Sequence, residues 1–261
     1  MPAHTKSSKS DIIFGPKKLE DILSEGFRIY KCNYVKFWAI SAVAGIIQLF
    51  SFIIIYGGIF LIPILSESDS LLITLPFIIS GGVFIFIVLW AIGFWVQGAL
   101  IYFIGAQYLD RQIGFSESYR YSGSRLGKAL LASILISLAV GGLCLTIIGI
   151  PLAIYLGVNW CFALPCIFIQ GTGITEALSK SYALVKGNWW RVLGINLMFF
   201  VIAMGINSIA GIIPFIGIII STVVSTPVTA LGLVLLFFDL RARKHNYTLD
   251  ALHDELNRPN G

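Results

Sequence analysis

The chain has 261 residues, of which 57% are hydrophobic and only 12% are charged, and its mean hydropathy is +0.88. A soluble domain carries about twice this fraction of charged residues, because its surface must stay hydrated. The composition therefore excludes a water-soluble globular protein, a disordered chain and a disulfide-rich secreted protein. It is typical of an integral membrane protein.

Uncharged stretches divide the chain into membrane spans. A spanning helix needs about 20 apolar residues. Two uncharged stretches of 47 residues (129–175 and 192–238) each accommodate a helical hairpin, and two others (37–66 and 70–109) accommodate one crossing each. The predicted spans are near 38–62, 75–106, 129–149, 152–171, 191–209 and 214–238.

The basic residues predict the orientation of these spans. All 18 lie in residues 1–37, 110–128 and 172–191 or after residue 239, and the three opposite connections contain none. By the positive-inside rule, both termini are expected in the cytoplasm and the protein in the cell membrane. A hairpin in 70–109 would place four basic residues outside, so one crossing is predicted there, with a bend at Gly81-Gly82 or a part lying along the outer interface. The first 36 residues are too polar for a signal peptide, so none is expected.

Two amphipathic segments, 19–37 and 174–192, place apolar residues at the same six positions 155 residues apart, and a weaker copy begins at Phe115. Each segment precedes two spans. The pattern predicts an all-α polytopic transmembrane helical bundle of six spans, built as three repeats of an interfacial amphipathic helix and a transmembrane hairpin. The predicted divisions are a disordered cytoplasmic tail (1–18), a single six-helix membrane domain (19–240) and a cytoplasmic C-terminal tail (241–261).

Residues at the predicted inner interface are expected to anchor the bundle to the membrane. Indole rings favour headgroup depth, and basic side chains attract the headgroups of anionic lipids. The amphipathic segments are interpreted as structural elbows, with lipid sensing as the alternative. The predicted interfacial anchors are Trp38, Trp189, Trp190 and Arg191.

Three segments carry a resemblance to a known family. The run from Glu176 to Arg191 (EALSKSYALVKGNWWR), the entry LEDIL at 19–23 with FRIY at 27–30, and the exit FFDLR at 237–241 resemble the membrane domain of glycerophosphoryl diester phosphodiesterases and related six-helix bacterial and archaeal membrane proteins. The resemblance implies a membrane module, which in some bacteria anchors a fused soluble phosphodiesterase domain. No such catalytic domain is expected here, because the chain has no room for it after the last span, and the resemblance supplies no catalytic or binding residues.

Catalysis is not expected from the residues themselves. The three histidines (His4, His245 and His253) lie in the tails, and no Asp, Glu, His, Lys or Arg lies in the interior of a predicted span. An intramembrane enzyme needs a nucleophile with a base, or metal ligands. The sequence therefore predicts no enzyme, no catalytic residues, no metal site and no cofactor, and the lack of intramembrane ionisable groups disfavours a proton relay. No nucleic-acid partner is expected.

Two functions remain open. The leading one is a non-catalytic membrane module that organises lipid or scaffolds a protein partner of unknown identity, and the alternative is a transporter or channel for a neutral or lipid-like solute. A carrier requires a polar cavity within the bundle, whereas a scaffold is expected to have a sealed core, in which polar side chains join neighbouring helices. The candidate lining residues are Gln97, Asn159, Asn196, Thr222, Ser225, Thr226 and Thr229, with Gln48 and Asn207 as further polar positions.

Overall fold

The computed structural model describes residues 18–65, 71–109, 111–213, 216–245 and 248–257, and the side chains of all of these except 55, 58–65, 71–79 and 245. Within this part of the chain the fold is all-α, as predicted. The helices are α1 (Leu19–Leu65), α2 (Leu71–Tyr108), α3 (Phe115–Cys144), α4 (Gly149–Trp160), α5 (Ala163–Gln170), α6 (Ile174–Val185), α7 (Trp189–Ala210), α8 (Ile216–His245) and α9 (Leu249–Asn257).

Six helical segments among the described residues are long and apolar enough to cross a membrane. Each overlaps one predicted span, which confirms the six-span bundle, and the protein is therefore a multi-pass integral membrane protein. The segments are Leu19–Ile54, Ser80–Tyr108, Phe115–Cys144, Gly149–Gln170, Trp189–Ala210 and Ile216–Lys244.

The long uncharged stretch 70–109 contains one helix, α2, over Leu71–Tyr108. α2 continues through Gly81-Gly82 without a break. This continuity is incompatible with a hairpin in the stretch, and the basic residues that precede and begin α3 therefore follow a single crossing.

The fourth span consists of two helices, because α4 ends at Trp160 and α5 begins at Ala163. Pro165 lacks the N–H that would continue the helical bonding across this point. The hydroxyl of Ser181 on α6 occupies the break: it accepts a hydrogen bond from the Phe162 N–H (3.1 Å) and donates one to the Asn159 carbonyl (2.7 Å). The interruption is thus held by a side chain from the neighbouring helix.

The amphipathic segments 19–37 and 174–192 bend at corresponding asparagines. Asn33 within α1 has φ −129° and ψ 18°, and Asn188, which precedes α7, has φ −127° and ψ 21°. α3 has no such bend and runs without interruption from Phe115. The threefold repeat remains a prediction, although its two strongest copies share this local conformation.

The buried core lies at the end of the bundle where the basic residues cluster. Three runs of buried residues meet there: 98–106 on α2, 165–169 on α5 and 234–240 on α8. Phe37 on α1 packs edge-on against Phe103, with ring centroids 5.0 Å apart. Toward the opposite end α2 leaves the bundle, and Phe84 and Phe86 are both 68% exposed. α2 is therefore close-packed at the basic end and largely exposed toward the other.

The region predicted as a C-terminal tail from residue 241 is helical where it is described. α8 continues to His245, and α9 folds back on the bundle and buries Leu252 and Leu256. Glu255 accepts two hydrogen bonds from the Arg241 guanidinium, at 2.7 and 2.9 Å. Residues 1–17 of the predicted N-terminal tail and residues 258–261 lie outside the described residues.

Replacing Glu255 by glutamine is expected to loosen α9. Arg241 and Glu255 are each 11% exposed, so their bidentate pair is largely shielded from water. Charge-assisted hydrogen bonds of this kind contribute about 1.5 kcal/mol, which corresponds to about tenfold faster opening-limited exchange of the α9 amides. Hydrogen exchange measured by mass spectrometry on the full chain tests this, with Asp250→Asn on the exposed face of α9 as the control. Equal exchange in both variants contradicts the expectation.

Candidate functional site

A cavity of about 670 Å³ lies among α1, α2, α5, α7 and α8. Its polar lining consists of amides and hydroxyls without a formal charge. These polar residues are Gln48, Gln97, Asn196, Thr222, Thr226 and Thr229. The remaining lining is apolar or aromatic and comprises Ala44, Phe86, Leu89, Trp90, Ile92, Gly93, Phe94, Val96, Leu164 and Leu233.

Helical periodicity brings the polar residues of α8 together. Thr222, Thr226 and Thr229 are spaced by four and then three residues, which places them on one helix face. Along α2 the lining extends from Phe86 to Gln97, a separation of 11 positions. This separation corresponds to about 16 Å along the helix, about half the thickness of the hydrocarbon core of a bilayer.

The polar groups of the cavity are only partly engaged with one another. The Thr222 hydroxyl lies 2.9 Å from Gln48 Oε1 and 2.8 Å from the Ile218 carbonyl, so its one proton serves either acceptor. Asn196 donates to the Val192 carbonyl at 3.0 Å, and its Oδ1 can still accept. The side chain of Gln97 forms no hydrogen bond with another described residue. Since amides and hydroxyls both donate and accept, the cavity offers both functions to an uncharged ligand.

The cavity opens on the outer surface of the bundle. Gln48 and Gly93 are exposed, and Phe86 at its edge is 68% exposed. At the basic end it is bounded by Val96 and Leu233, which adjoin the buried core. In a membrane protein an opening at such a position faces acyl chains rather than water.

Three predicted polar positions lie outside this cavity. Asn159 is buried and donates from its side chain to the Tyr155 carbonyl at 2.9 Å, next to the break between α4 and α5. Ser225 is buried beside the lining of α8, and its carbonyl accepts a hydrogen bond from Thr229 at 3.3 Å. Asn207 is exposed near the end of α7. Of the candidate lining residues, the structure therefore brings together Gln97, Asn196, Thr222, Thr226 and Thr229, along with Gln48.

The predicted interfacial anchors lie close to the basic end. Trp38 is 42% exposed and donates through its indole to the Tyr30 hydroxyl at 2.8 Å. Trp190 is 79% exposed, whereas the Trp189 indole reaches the Tyr155 carbonyl at 3.5 Å. Arg191 turns toward α8 and pairs with Asp239.

A buried carboxylate holds two arginines at this end of the bundle, and the sequence interpretation missed it. The Asp239 side chain is fully buried, and its Oδ2 lies 3.0 Å from both Arg191 Nη2 and Arg243 Nε. The predicted sixth span ends at residue 238, one residue before this aspartate, whereas helix α8 continues to His245. The available signal was an acidic residue directly after an apolar run and four positions before an arginine.

A buried arginine caps the end of α5. Arg125 on α3 is only 3% exposed, and its Nη1 donates to the Phe168 carbonyl at 2.6 Å and to the Tyr121 hydroxyl. A cation is favourable at a helix C-terminus, where carbonyl groups lack intrahelical partners. α5 ends at Gln170, and the capping residue Gly171 has a φ of 69°, which favours glycine because it has no Cβ. This arginine therefore has a structural position, away from the cavity.

Elsewhere in the described chain, the ionisable groups do not form a metal site: no group of three His, Cys, Asp or Glu residues could hold an ion. On the exposed surface of α6, a hydrogen bond from Lys180 to Glu176 at 2.9 Å lowers the pKa of the Glu176 carboxyl.

Comparison of the chain with curated proteins finds no match, and comparison with solved structures finds none either. One protein family does match part of the chain, residues 138–242. This part comprises the end of α3, α4 to α7 and most of α8, and so includes the Asn196 and α8 walls of the cavity. The α1 and α2 walls precede it. Residues 138–242 match the family of the membrane domain of glycerophosphoryl diester phosphodiesterase, which confirms the resemblance seen at 176–191 and 237–241.

Proposed function

We propose that the protein is a non-catalytic membrane module that binds a lipid-like molecule with an uncharged polar group. The observation that carries this proposal is the cavity, in which amides and hydroxyls from four helices converge among apolar walls. Its volume of about 670 Å³ falls within the range usual for small-molecule sites. It combines the concave, mostly apolar lining of such a site with a few convergent polar groups.

The lining favours a neutral ligand over a charged one. Gln48, Gln97 and Asn196 can exchange hydrogen bonds with hydroxyl, ester or amide groups, but none of the described lining residues carries a charge that could pair with an ion. An ion held away from water without a paired charge is costly. A molecule with hydroxyl or carbonyl groups at its polar end therefore fits the lining chemically.

The position of the opening favours a ligand that arrives from the bilayer. Phe86 and Trp90 form part of the wall beside the exposed side, and the other end adjoins the close-packed core. An amphipathic molecule could place its polar end against Gln97 and Thr226 while its chain stays among neighbouring lipids. This arrangement requires no water-filled path through the basic end.

We also propose the cell membrane as the location, with both termini in the cytoplasm. The support is the distribution of the 18 basic residues, all of which flank one side of the spans. That face is then expected to attract anionic lipid headgroups. The match to a family of membrane domains is consistent with a module of this kind, and a protein partner at the same face remains an alternative role.

Transport of the same class of molecule is the second candidate function. The cavity supports binding, the first step that a carrier requires, and broken helices such as the α4–α5 pair are found at the sites of carriers. A flux assay in liposomes of the full chain separates the two functions, because a binding module alone gives no accelerated movement between leaflets.

Removal of polar groups from the cavity is expected to release the bound molecule. In the variant Gln97→Leu with Thr226→Val, the amount of a neutral lipid that co-purifies with the full chain in mild detergent is expected to fall about thirtyfold, because two hydrogen bonds of about 1 kcal/mol each are lost. Mass spectrometry of the extracted lipids measures this. The control is Asn207→Leu, which removes an amide at an exposed position outside the cavity. Identical lipid profiles in the wild type, the control and the double variant contradict the proposal.

A further inference from the structure

A second cavity of about 500 Å³ lies among α1, α2 and α3 and shares no lining residue with the first. It is bounded by apolar and aromatic side chains, one serine and one arginine. The lining residues are Val43, Trp95, Phe115, Ser116, Tyr119, Arg120 and Gly123.

The aromatic wall of this second cavity is held in place by hydrogen bonds. The Trp95 indole donates to the Tyr119 carbonyl at 3.0 Å, and the two rings meet edge-on with centroids 5.0 Å apart. The Tyr119 hydroxyl in turn donates to the Ile40 carbonyl on α1. Phe115 lies against Tyr119, with ring centroids 4.9 Å apart. The cavity is therefore a preformed feature of three packed helices.

Helical spacing puts the polar groups of α3 on the same face as this wall. Ser116, Tyr119, Arg120 and Gly123 follow one another at intervals of three, one and three residues. Gly123 has no side chain, so the space beside the Trp95 indole stays open. A Cβ at this position would lie 3.5 Å from the indole nitrogen, an ordinary contact distance. The result is a hydroxyl and a guanidinium beside an apolar hollow.

The electrostatics of this hollow are positive. Arg120 is exposed, and among the described residues that line the cavity it alone has a formal charge at neutral pH. Glu117 on the same helix is engaged elsewhere, since the Tyr102 hydroxyl lies 3.3 Å from its Oε1. Among the described residues, Arg120 forms no ion pair.

We propose that this second cavity binds one anionic phospholipid, with the phosphate at Arg120 and Ser116 and an acyl chain against Val43, Trp95 and Phe115. A guanidinium and a hydroxyl are suitable donors to phosphate oxygens. The apolar walls identify a lipid rather than a free phosphate ion, because a small ion would leave those walls without a partner. This lipid is distinct from the neutral ligand of the first cavity, so either proposal can fail without the other.

The test is native mass spectrometry of the full chain in detergent, titrated with phosphatidylglycerol and, for comparison, phosphatidylcholine. Arg120→Gln is expected to weaken phosphatidylglycerol binding about tenfold, because charge-assisted hydrogen bonds to the phosphate are lost. Gly123→Leu, which fills the hollow and leaves every charge in place, is expected to weaken binding by a similar factor. Lys31→Gln, which removes an exposed charge of the same sign from α1, serves as the matched control and is expected to stay within about twofold of the wild type.

Each outcome decides the proposal. The proposal is supported if phosphatidylglycerol binding weakens in R120Q and G123L but not in K31Q, and if inorganic phosphate does not displace the lipid. Equal weakening in R120Q and K31Q, with G123L unchanged, shows general attraction to the basic face and overturns it. Displacement by inorganic phosphate at comparable concentration overturns the assignment to a lipid. Because all the variants keep the Gln97 and Thr226 cavity intact, the neutral lipid that co-purifies with them is expected to be unchanged.

Discussion

Replacing Asp239 by asparagine is expected to lower the free energy of unfolding by about 3 kcal/mol. The fully buried carboxylate accepts from Arg191 on α7 and Arg243 on α8, and the substitution leaves both guanidinium groups without this buried negative partner. Breaking a buried ion pair usually costs about 3 to 5 kcal/mol, and the lower value applies here because the arginines, at 28% and 31% exposure, can partly reach water. Denaturation of the full chain in detergent, followed by circular dichroism, measures the change.

A matched control for this substitution is Asp254→Asn. Its carboxylate is 78% exposed and has only a 3.7 Å contact with His253, so little change in stability is expected. A double variant provides an independent check. Arg191→Gln is expected to lower the free energy of unfolding less in D239N than in the wild type, because the pair is already broken there. Equal stabilities of D239N and D254N would contradict a structural role for the buried pair.

Replacing Gly98 by alanine is expected to destabilise the bundle by about 2 kcal/mol. A Cβ at this position would lie 2.3 Å from the Ser122 hydroxyl and 2.4 Å from the Phe168 ring, so α2, α3 and α5 would have to separate. The clash also disturbs the hydrogen bond of 2.7 Å from the Ser122 hydroxyl to the Trp95 carbonyl. The same denaturation measurement reports the loss.

Gly93→Ala, on the same helix, is expected to change stability in the opposite direction. A Cβ at Gly93 meets no atom within 4 Å, so the substitution removes only the conformational freedom of glycine and is expected to stabilise α2 by about 0.5 to 1 kcal/mol. A destabilisation of the same size in both alanine variants would show that α2 does not approach α3 and α5 as closely as described.

The membrane spans could be predicted because charged residues are excluded from the hydrocarbon core of the bilayer. A long uncharged stretch is therefore visible in the sequence alone. A stretch such as 70–109 must cross without a charged residue, and α2 does form one helix there. Within α8, Thr222, Thr226 and Thr229 share one face by periodicity, so their convergence could also be inferred from spacing.

Composition and residue spacing could not predict which side chains contact one another between helices. The sequence offers no means to decide that Asp239 faces Arg191 across two helices, or that the Ser181 hydroxyl spans the break beside Asn159. Asn159 was grouped with the lining residues because amides within a span look alike in sequence, whereas its position on α4 directs it to the Tyr155 carbonyl. Likewise, the fold-back of α9 depends on the pairing of Arg241 with Glu255, which only three-dimensional proximity shows.

The length of α2 ties the first cavity to the thickness of the surrounding bilayer. With 38 residues, this helix is about 57 Å long, almost twice the hydrocarbon thickness of about 30 Å. A helix that exceeds the bilayer in this way tilts or projects, and the extent of either depends on the hydrophobic mismatch. Residues from Phe86 to Gln97 of the same helix form one wall of the cavity, and α2 is held by close packing only near its basic end. A change in membrane thickness is therefore expected to change the tilt of α2 and, with it, the width of the cavity, whether or not a ligand is bound.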